Sequence, residues 1–198
     1  MKRINEIFHS LQGEGRNAGV AAVFVRFAGC NLSCPFCDTD HRRGTPMTDA
    51  EIVEAIAALP PVPLIVLTGG EPALQLDDAF IASLHDAFPD VAVAVETNGT
   101  RPLPPGIDWV TLSPKDDFIT DGSAVPVLSN VDELKVVYTG QPLAPYFQRF
   151  SARHYYLQPC ASGDAAADAA ATAATVEAVK ADPRWRLSLQ THKLIHIP

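Results

Sequence analysis

The sequence predicts an α/β fold, a partial and open (β/α) barrel of about six parallel strands with few helices. Three observations lead there. Short apolar, β-branched runs recur along the chain, and helical periodicities alternate with several of them. The 198 residues also fall short of the roughly 250 typical of a closed eight-stranded barrel. That length suits one domain, residues 1–198, with a sizeable core.

In chain order the strand-like runs are AAVFVRF (21–27), PLIVL (63–67), VAVAVET (91–97), WVTLS (109–113), ELKVVY (133–138), HYYLQP (154–159) and RLSLQT (186–191). Each has the length and composition of a buried strand. The first helical segment, TDAEIVEAIAAL (48–59), opens on a capping box formed by Thr48 and Glu51 and carries Ile52, Ile56 and Leu59 along one face. The second, LDDAFIASLHDAF (76–88), repeats Phe80, Leu84 and Phe88 at every fourth position. The third, DAAADAAATAATVEAVKA (164–181), is rich in alanine and stops before Pro183. Between 99 and 106 the chain is proline-rich and too short for a helix. Sheets of this kind place their chemistry at the C-terminal ends of the strands. The residues there read FAGC, TGGEP, ETNGT, SPK and LQP.

Composition narrows the function classes. With 47% hydrophobic and 19% charged residues the chain is globular rather than disordered. A formal charge of −8, with Lys and Arg scattered, argues against a nucleic-acid surface, which needs a basic stripe. No apolar run approaches the ~20 residues of a membrane span, and the N-terminal MKRINEIFHSLQGEG lacks the apolar stretch of a signal peptide. The expectation is a soluble, cytoplasmic protein with neither a nucleic-acid nor a membrane partner.

Three of the four cysteines, Cys30, Cys34 and Cys37, fall within GCNLSCPFCDTD (29–40). In a reducing compartment such a cluster reads as metal-binding or redox-active rather than as a disulfide framework. Three thiolates suit a cuboidal iron–sulfur cluster with one iron left open, since four would saturate it. Zinc held by the three cysteines and His41, or an incidental grouping, are the alternatives, although structural zinc sites usually draw on two separated pairs. Cys160, alone in LQPC, reads as a buried or inert thiol.

The CxxxCxxC spacing, with Phe36 before the last cysteine, resembles the signature of the radical S-adenosylmethionine enzymes. The resemblance implies a [4Fe-4S] cluster on Cys30, Cys34 and Cys37 whose open iron chelates S-adenosylmethionine and cleaves it to a 5′-deoxyadenosyl radical. TGGEP (68–72) is similar to the glycine-rich stretch that contacts the methionyl ammonium in that superfamily. Taken by themselves, adjacent glycines show only that the backbone can approach something closely, as in a plain turn.

SLQGEG (10–15), CDT (37–39), TGGEP, ETNGT (96–100), SPK (113–115) and the ending THKLIHIP are together similar to the 7-carboxy-7-deazaguanine synthase family. That resemblance implies a carbon–nitrogen lyase of queuosine biosynthesis. It would contract 6-carboxy-5,6,7,8-tetrahydropterin to 7-carboxy-7-deazaguanine and release ammonia, with magnesium and catalytic use of S-adenosylmethionine. Leu11, Gln12, Gly13, Arg26, Thr68, His192 and the terminal carboxylate of Pro198 would meet the pterin. Phe36, Asp38, Gly70, Ser113, Pro114, Lys115 and Gln158 would line the S-adenosylmethionine site, and Thr39 would supply an oxygen to magnesium. An external electron donor such as flavodoxin and a homodimer are implied as well. No residue is singled out as a catalytic acid or base.

Several of these residues also have plainer readings. Arg26 suits a carboxylate through its planar fork, or a surface ion pair. Lys115 could be a solvent-facing charge and His192 a structural histidine. Glu96 and Asn98 are polar contacts or good turn chemistry. Two rivals remain at this level. One is the activase of a glycyl-radical enzyme, which shares the cysteine spacing. The other is a non-catalytic zinc or iron–sulfur protein.

Overall fold

The structure, a computed structural model, describes residues 1–198. Its elements run β1 (Lys2–Leu11), β2 (Ala21–Phe27), β3 (Thr45–Met47), α1 (Asp49–Ala57), β4 (Leu64–Gly69), α2 (Asp78–Ala87), β5 (Ala92–Thr97), β6 (Trp109–Leu112), β7 (Asn130–Tyr138), α3 (Ala144–Arg149), β8 (Ser151–Pro159), α4 (Ala165–Ala181), β9 (Arg186–Leu187) and α5 (Thr191–Leu194). Nine strands form one sheet in the order β3-β1-β2-β4-β5-β6-β7-β8-β9. From β2 to β9 every pairing is parallel, whereas β1 joins β2 and β3 in antiparallel fashion. The edges β3 and β9 do not meet, so the barrel is open, as expected.

The two faces of the sheet differ in chemistry. On the outer face Val23, Val25, Phe27, Ile65, Leu67, Val93 and Val95 pack against Ile52 and Ile56 of α1 and Phe80, Ile81 and Leu84 of α2. Farther along, Leu112, Leu134, Val136 and Leu157 pack with Tyr146 and Phe150 around the buried Trp185. Burial of these side chains, at roughly 25 cal/mol per Å², is the main force holding the helices to the sheet. The inner face begins with small or apolar residues, Ala22, Leu64, Val66 and Ala94. Toward the C-terminal strand ends it turns polar, and the parallel register aligns Arg26 with Thr68, Glu96 with Thr111, and Thr111 with Glu133, with Gln158 farther along β8. Side-chain alternation along each strand therefore gathers these polar groups on one concave wall.

The capping box of α1 is formed: Glu51 N–H donates to Thr48 Oγ1 at 3.3 Å and Thr48 N–H donates to Glu51 Oε2 at 2.6 Å. Caps of this type are worth about 1 kcal/mol. In β1 the structure adds a strand that the apolar pattern did not reveal. The ladder slips between Ile4 and Glu6, and the extra residue, Asn5, restores Ile4 and Ile7 to the same core even though their spacing is odd. RLSLQT shortens to two paired residues, Arg186 and Leu187, because only these find a ladder partner in β8. No helix is long and apolar enough to cross a membrane.

Candidate active site

A cavity of about 550 Å³ opens over the C-terminal ends of the strands, and the loops that follow β1, β2, β4, β5, β6 and β8 surround it. The cysteine loop forms one wall, with Cys30, Cys34, Cys37 and His41 all lining the space. Both flanks of this loop are pinned by the backbone. Ala28 N–H donates to Arg3 O at 2.8 Å and Gly29 N–H to His41 O at 2.7 Å. Asn5, the bulged residue of β1, donates from Nδ2 to Asp40 O at 2.9 Å and to Arg43 O at 2.8 Å. The irregularity in the first strand is thus what lets an amide reach the far side of the loop.

TGGEP holds the near side. Gly70 N–H donates to Phe27 O at 3.0 Å and Glu71 N–H to Gly29 O at 2.9 Å. A β-carbon at Gly70 would collide with the Gly29 carbonyl and crowd the Cys30 amide, so glycine is needed for chain to lie on chain. Gly70 also lines the cavity, which leaves one face of its backbone toward a ligand. Glu71, only 1% exposed, accepts from Thr97 Oγ1 and Asn98 N–H, both at 2.7 Å, and from Ala73 N–H at 3.0 Å. Asn98 in turn donates to Asn31 Oδ1 at 3.2 Å, tying β5 to the cysteine loop, and Asn31 donates to Thr100 Oγ1 at 2.9 Å.

The donor set fits an iron–sulfur cluster. Three thiols share one wall, and Leu32 N–H points at Cys30 Sγ from 3.4 Å, a contact that favours thiolate. Burial pushes the Cys30 and Cys34 thiols up, with Lys115 acting against that shift at Cys34. The sulfurs do not converge on a single-ion site. Thr39 sits on the same wall, where its hydroxyl is a hard oxygen donor of the kind magnesium accepts. Phe36 packs edge-on against Phe118 with ring centroids 4.7 Å apart.

The floor is a buried charge network. Lys135 donates to Glu14 Oε2 at 2.6 Å and to Glu96 Oε2 at 2.7 Å. The second oxygen of each carboxylate takes a glutamine amide: Gln190 Nε2 lies 3.0 Å from Glu14 Oε1, and Gln12 Nε2 lies 3.3 Å from Glu96 Oε1. Burial opposes the charge on Lys135, but Glu14, Glu96 and Glu133 together hold its pKa above the usual lysine range. Burial drives Glu133 up to about 7 despite the nearby ammonium. Burial also lowers Lys115 to about 8, and its ammonium donates to Ser113 O at 2.9 Å and Ser113 Oγ at 2.5 Å.

The C-terminal segment closes the remaining side. Thr191 donates to Gly13 O through its amide at 3.0 Å and its hydroxyl at 2.8 Å, and His192 packs where a β-carbon on Gly13 would otherwise stand. Lys193 reaches Asp38 at 2.5 Å, and Ser10 Oγ donates to the terminal Pro198 O at 2.7 Å.

All the candidate residues except Pro114 line this one cavity: Leu11, Gln12, Gly13, Arg26, Thr68, His192 and Pro198, with Phe36, Asp38, Gly70, Ser113, Lys115 and Gln158, and with the three cysteines and Thr39. Pro114 is buried between Ser113 and Lys115. Arg26 gives its Nε to Glu6 at 2.6 Å, and its guanidinium lies over the Phe8 ring, 5.6 Å from the centroid. Cys160, expected to be buried or inert, is half-buried and lines the same cavity, and burial pushes its thiol up. Glu14, Lys135 and the stacked pair Phe8 and Phe24 were not anticipated. For Lys135 the one signal was its charge inside the apolar run ELKVVY, because a charge in a buried strand needs a partner.

The family model for the radical SAM superfamily matches residues 24–115. The chain is 52% identical to the 7-carboxy-7-deazaguanine synthase of Bacteroides thetaiotaomicron, over 100% of this chain and 99% of that one. It is 44% identical to the 7-carboxy-7-deazaguanine synthase of Bordetella pertussis over 98% of each. The fold is similar to the crystal structure of QueE from Escherichia coli, with a TM-score of 0.75, 25% identity, and coverage of 95% of this chain and 93% of that one.

Proposed function

The chain belongs to the 7-carboxy-7-deazaguanine synthase family of radical S-adenosylmethionine enzymes, and from that premise we propose how its cavity serves the reaction. The enzyme acts in the queuosine pathway, forming 7-carboxy-7-deazaguanine. The observation that carries the proposal is that the three cysteines and the polar floor open on a single cavity.

Cys30, Cys34 and Cys37 would hold the cluster, with S-adenosylmethionine on its open iron. When bound there, that pair supplies one-electron cleavage of the sulfonium and a carbon-centred radical able to take hydrogen from the substrate. Phe36, Asp38, Gly70, Ser113, Pro114, Lys115 and Gln158 would surround S-adenosylmethionine. On the other side Leu11, Gln12, Gly13, Thr68 and His192 would hold 6-carboxytetrahydropterin. The Nη groups of Arg26, left free while Nε serves Glu6, suit the substrate carboxylate. Pro198, steadied by Ser10, would accept the amino and ring N–H groups at the opposite edge. Thr39 would give magnesium one oxygen, which is enough for an ion that keeps much of its water. These residues orient the substrate and exclude water during ring contraction.

Reduction would come from an external carrier such as flavodoxin, and the chain would work as a homodimer. Dependence on reduced thiols suits the cytoplasm.

Extending the chain beyond Pro198 tests this assignment. A few added residues replace the terminal carboxylate by a neutral amide and force the chain out through the cavity. Affinity for 6-carboxytetrahydropterin is expected to fall about tenfold or more, through loss of a charge-assisted contact, with iron content unchanged. Equilibrium binding under anaerobic conditions reads this directly, and unchanged affinity would remove the carboxylate from the site.

A further inference from the structure

We propose that Lys135 is a positioning residue for the pterin: it fixes Glu14 and Glu96 as a pair of oriented, ionised hydrogen-bond acceptors on the cavity floor. The proposal rests on the reading of this cavity as a pterin site. Its geometry is uneven in an informative way. The Lys135 side chain is 6% exposed, while those of Glu14 and Glu96 are 16% and 20% exposed. Glu14, Glu96 and Lys135 all line the cavity, but the ammonium lies beneath its two partners, its two bonds directed into their carboxylates.

Each carboxylate is also held from the side, Glu96 by Gln12 and Glu14 by Gln190. Lysine below and glutamine beside restrict both carboxylates to one orientation. A carboxylate oxygen has room for more than one hydrogen bond, so acceptor capacity remains toward the cavity. Against burial, Lys135 holds the Glu14 carboxyl below its usual range, whereas burial raises Glu96 in spite of the same ammonium; with both ionised the trio carries a net charge of −1. Such a floor suits a ring edge rich in N–H donors, as the 2-amino-4-oxo ring of a pterin is, and disfavours a ring lacking them. Lys135 acts only through the two glutamates.

Without the ammonium, two neighbouring buried carboxylates repel and share a proton. A protonated carboxyl loses part of its acceptor capacity. Binding by a chain without Lys135 is therefore weakest at low pH and recovers as pH rises and the shared proton leaves. Other titratable groups face this trio: Glu133 on β7, Lys115 after β6 and His192 from α5. They are present in the parent chain too, which makes it the control for their titration.

The test is anaerobic equilibrium binding of 6-carboxytetrahydropterin to the cluster-reconstituted chain with S-adenosylmethionine and magnesium, at pH 6 and pH 7.5. For the parent, the dissociation constant is expected to vary less than about threefold between the two pH values. In Lys135→Met it rises about tenfold or more at pH 6 and partly recovers at pH 7.5. Lys135→Arg keeps the charge and stays near the parent. Thermal unfolding and iron content are measured alongside. Should Lys135→Met not fold, the double variant Glu14→Gln with Lys135→Met removes one charge of each sign; weakened, pH-sensitive binding is still expected, because Glu96, raised by burial, has lost the ammonium that opposed that rise. Parent-like binding by a folded variant overturns the proposal. So does a loss equal at both pH values and shared by Lys135→Arg, which marks a merely structural lysine. If the parent itself does not bind the pterin, the reading of the cavity fails and the proposal falls with it.

Discussion

Cys34→Ala is expected to yield a folded protein that retains little iron after reconstitution and neither cleaves S-adenosylmethionine nor turns over substrate. Cys30→Ala and Cys37→Ala should do the same. Three ligands on a cluster with one open iron leave none in reserve, and each lost thiolate exposes a second iron to solvent and exchange. Folding should survive, because the loop is anchored through its backbone rather than through these side chains. Ala28 and Gly29 are held by Arg3 and His41, and Cys34 and Cys30 are only partly buried. Outside the core such substitutions usually change stability by less than about 1 kcal/mol. Cys160 faces the same cavity, and Cys160→Ala separates the roles: it should keep its iron. Iron-to-protein ratio and thermal unfolding, measured together, check the prediction. Full iron in Cys34→Ala would mean that the cluster is held otherwise.

Glu71→Leu is expected to be the most destabilising of the changes near the site. Its carboxylate gathers Thr97 Oγ1, Asn98 N–H and Ala73 N–H at the point where β4, β5 and the cysteine loop meet. Leucine is of similar bulk but satisfies none of these donors, and each one left unpaired in the interior costs about 1–3 kcal/mol. Relaxation and entering water recover part of that, leaving a loss of about 3–5 kcal/mol. For a chain of this length the midpoint should fall on the order of 10 °C. Glu71→Gln keeps one acceptor oxygen and should lose roughly half as much. Burial is the leading influence on Glu71 and raises its pKa, so the folded chain takes up a proton here more readily than the unfolded one. Its stability contribution therefore declines as pH rises above the ordinary glutamate value, and Glu71→Leu should flatten that slope. Thermal unfolding at several pH values measures both effects, and a midpoint within about 2 °C of the parent would contradict the account.

The strands were legible wherever the physics was local. With one face under the helices and the start of the other closed into the barrel interior, β2, β4 and β5 read as largely apolar runs, and their positions follow from composition alone. The first strand was hidden by its own bulge, since inserting Asn5 breaks the period that would have aligned Ile4 with Ile7. Helix α3 is six residues long with Pro145 near its start, too short to display a repeat. Among the site residues, the cysteines were readable because their meaning lies in sequence spacing. Lys135 and Glu14 were not, being 121 positions apart and joined only by the folding of β7 beneath the first loop. The glycines of TGGEP carry a further lesson. The close approach they permit is made in part to the backbone of Gly29 and Cys30, so the motif shapes the cysteine loop as well as lining the cavity.

The most direct test of the account is an anaerobic turnover assay of the cluster-reconstituted chain with reductant, S-adenosylmethionine, magnesium and 6-carboxytetrahydropterin, followed by mass spectrometry. Formation of 7-carboxy-7-deazaguanine without stoichiometric loss of S-adenosylmethionine is the predicted result. Accumulation of 5′-deoxyadenosine and methionine, with the pterin untouched, would contradict the substrate assignment and point to a protein substrate such as that of a glycyl-radical activase. The absence of both sets of products from a protein with a fully loaded cluster would contradict the radical chemistry itself.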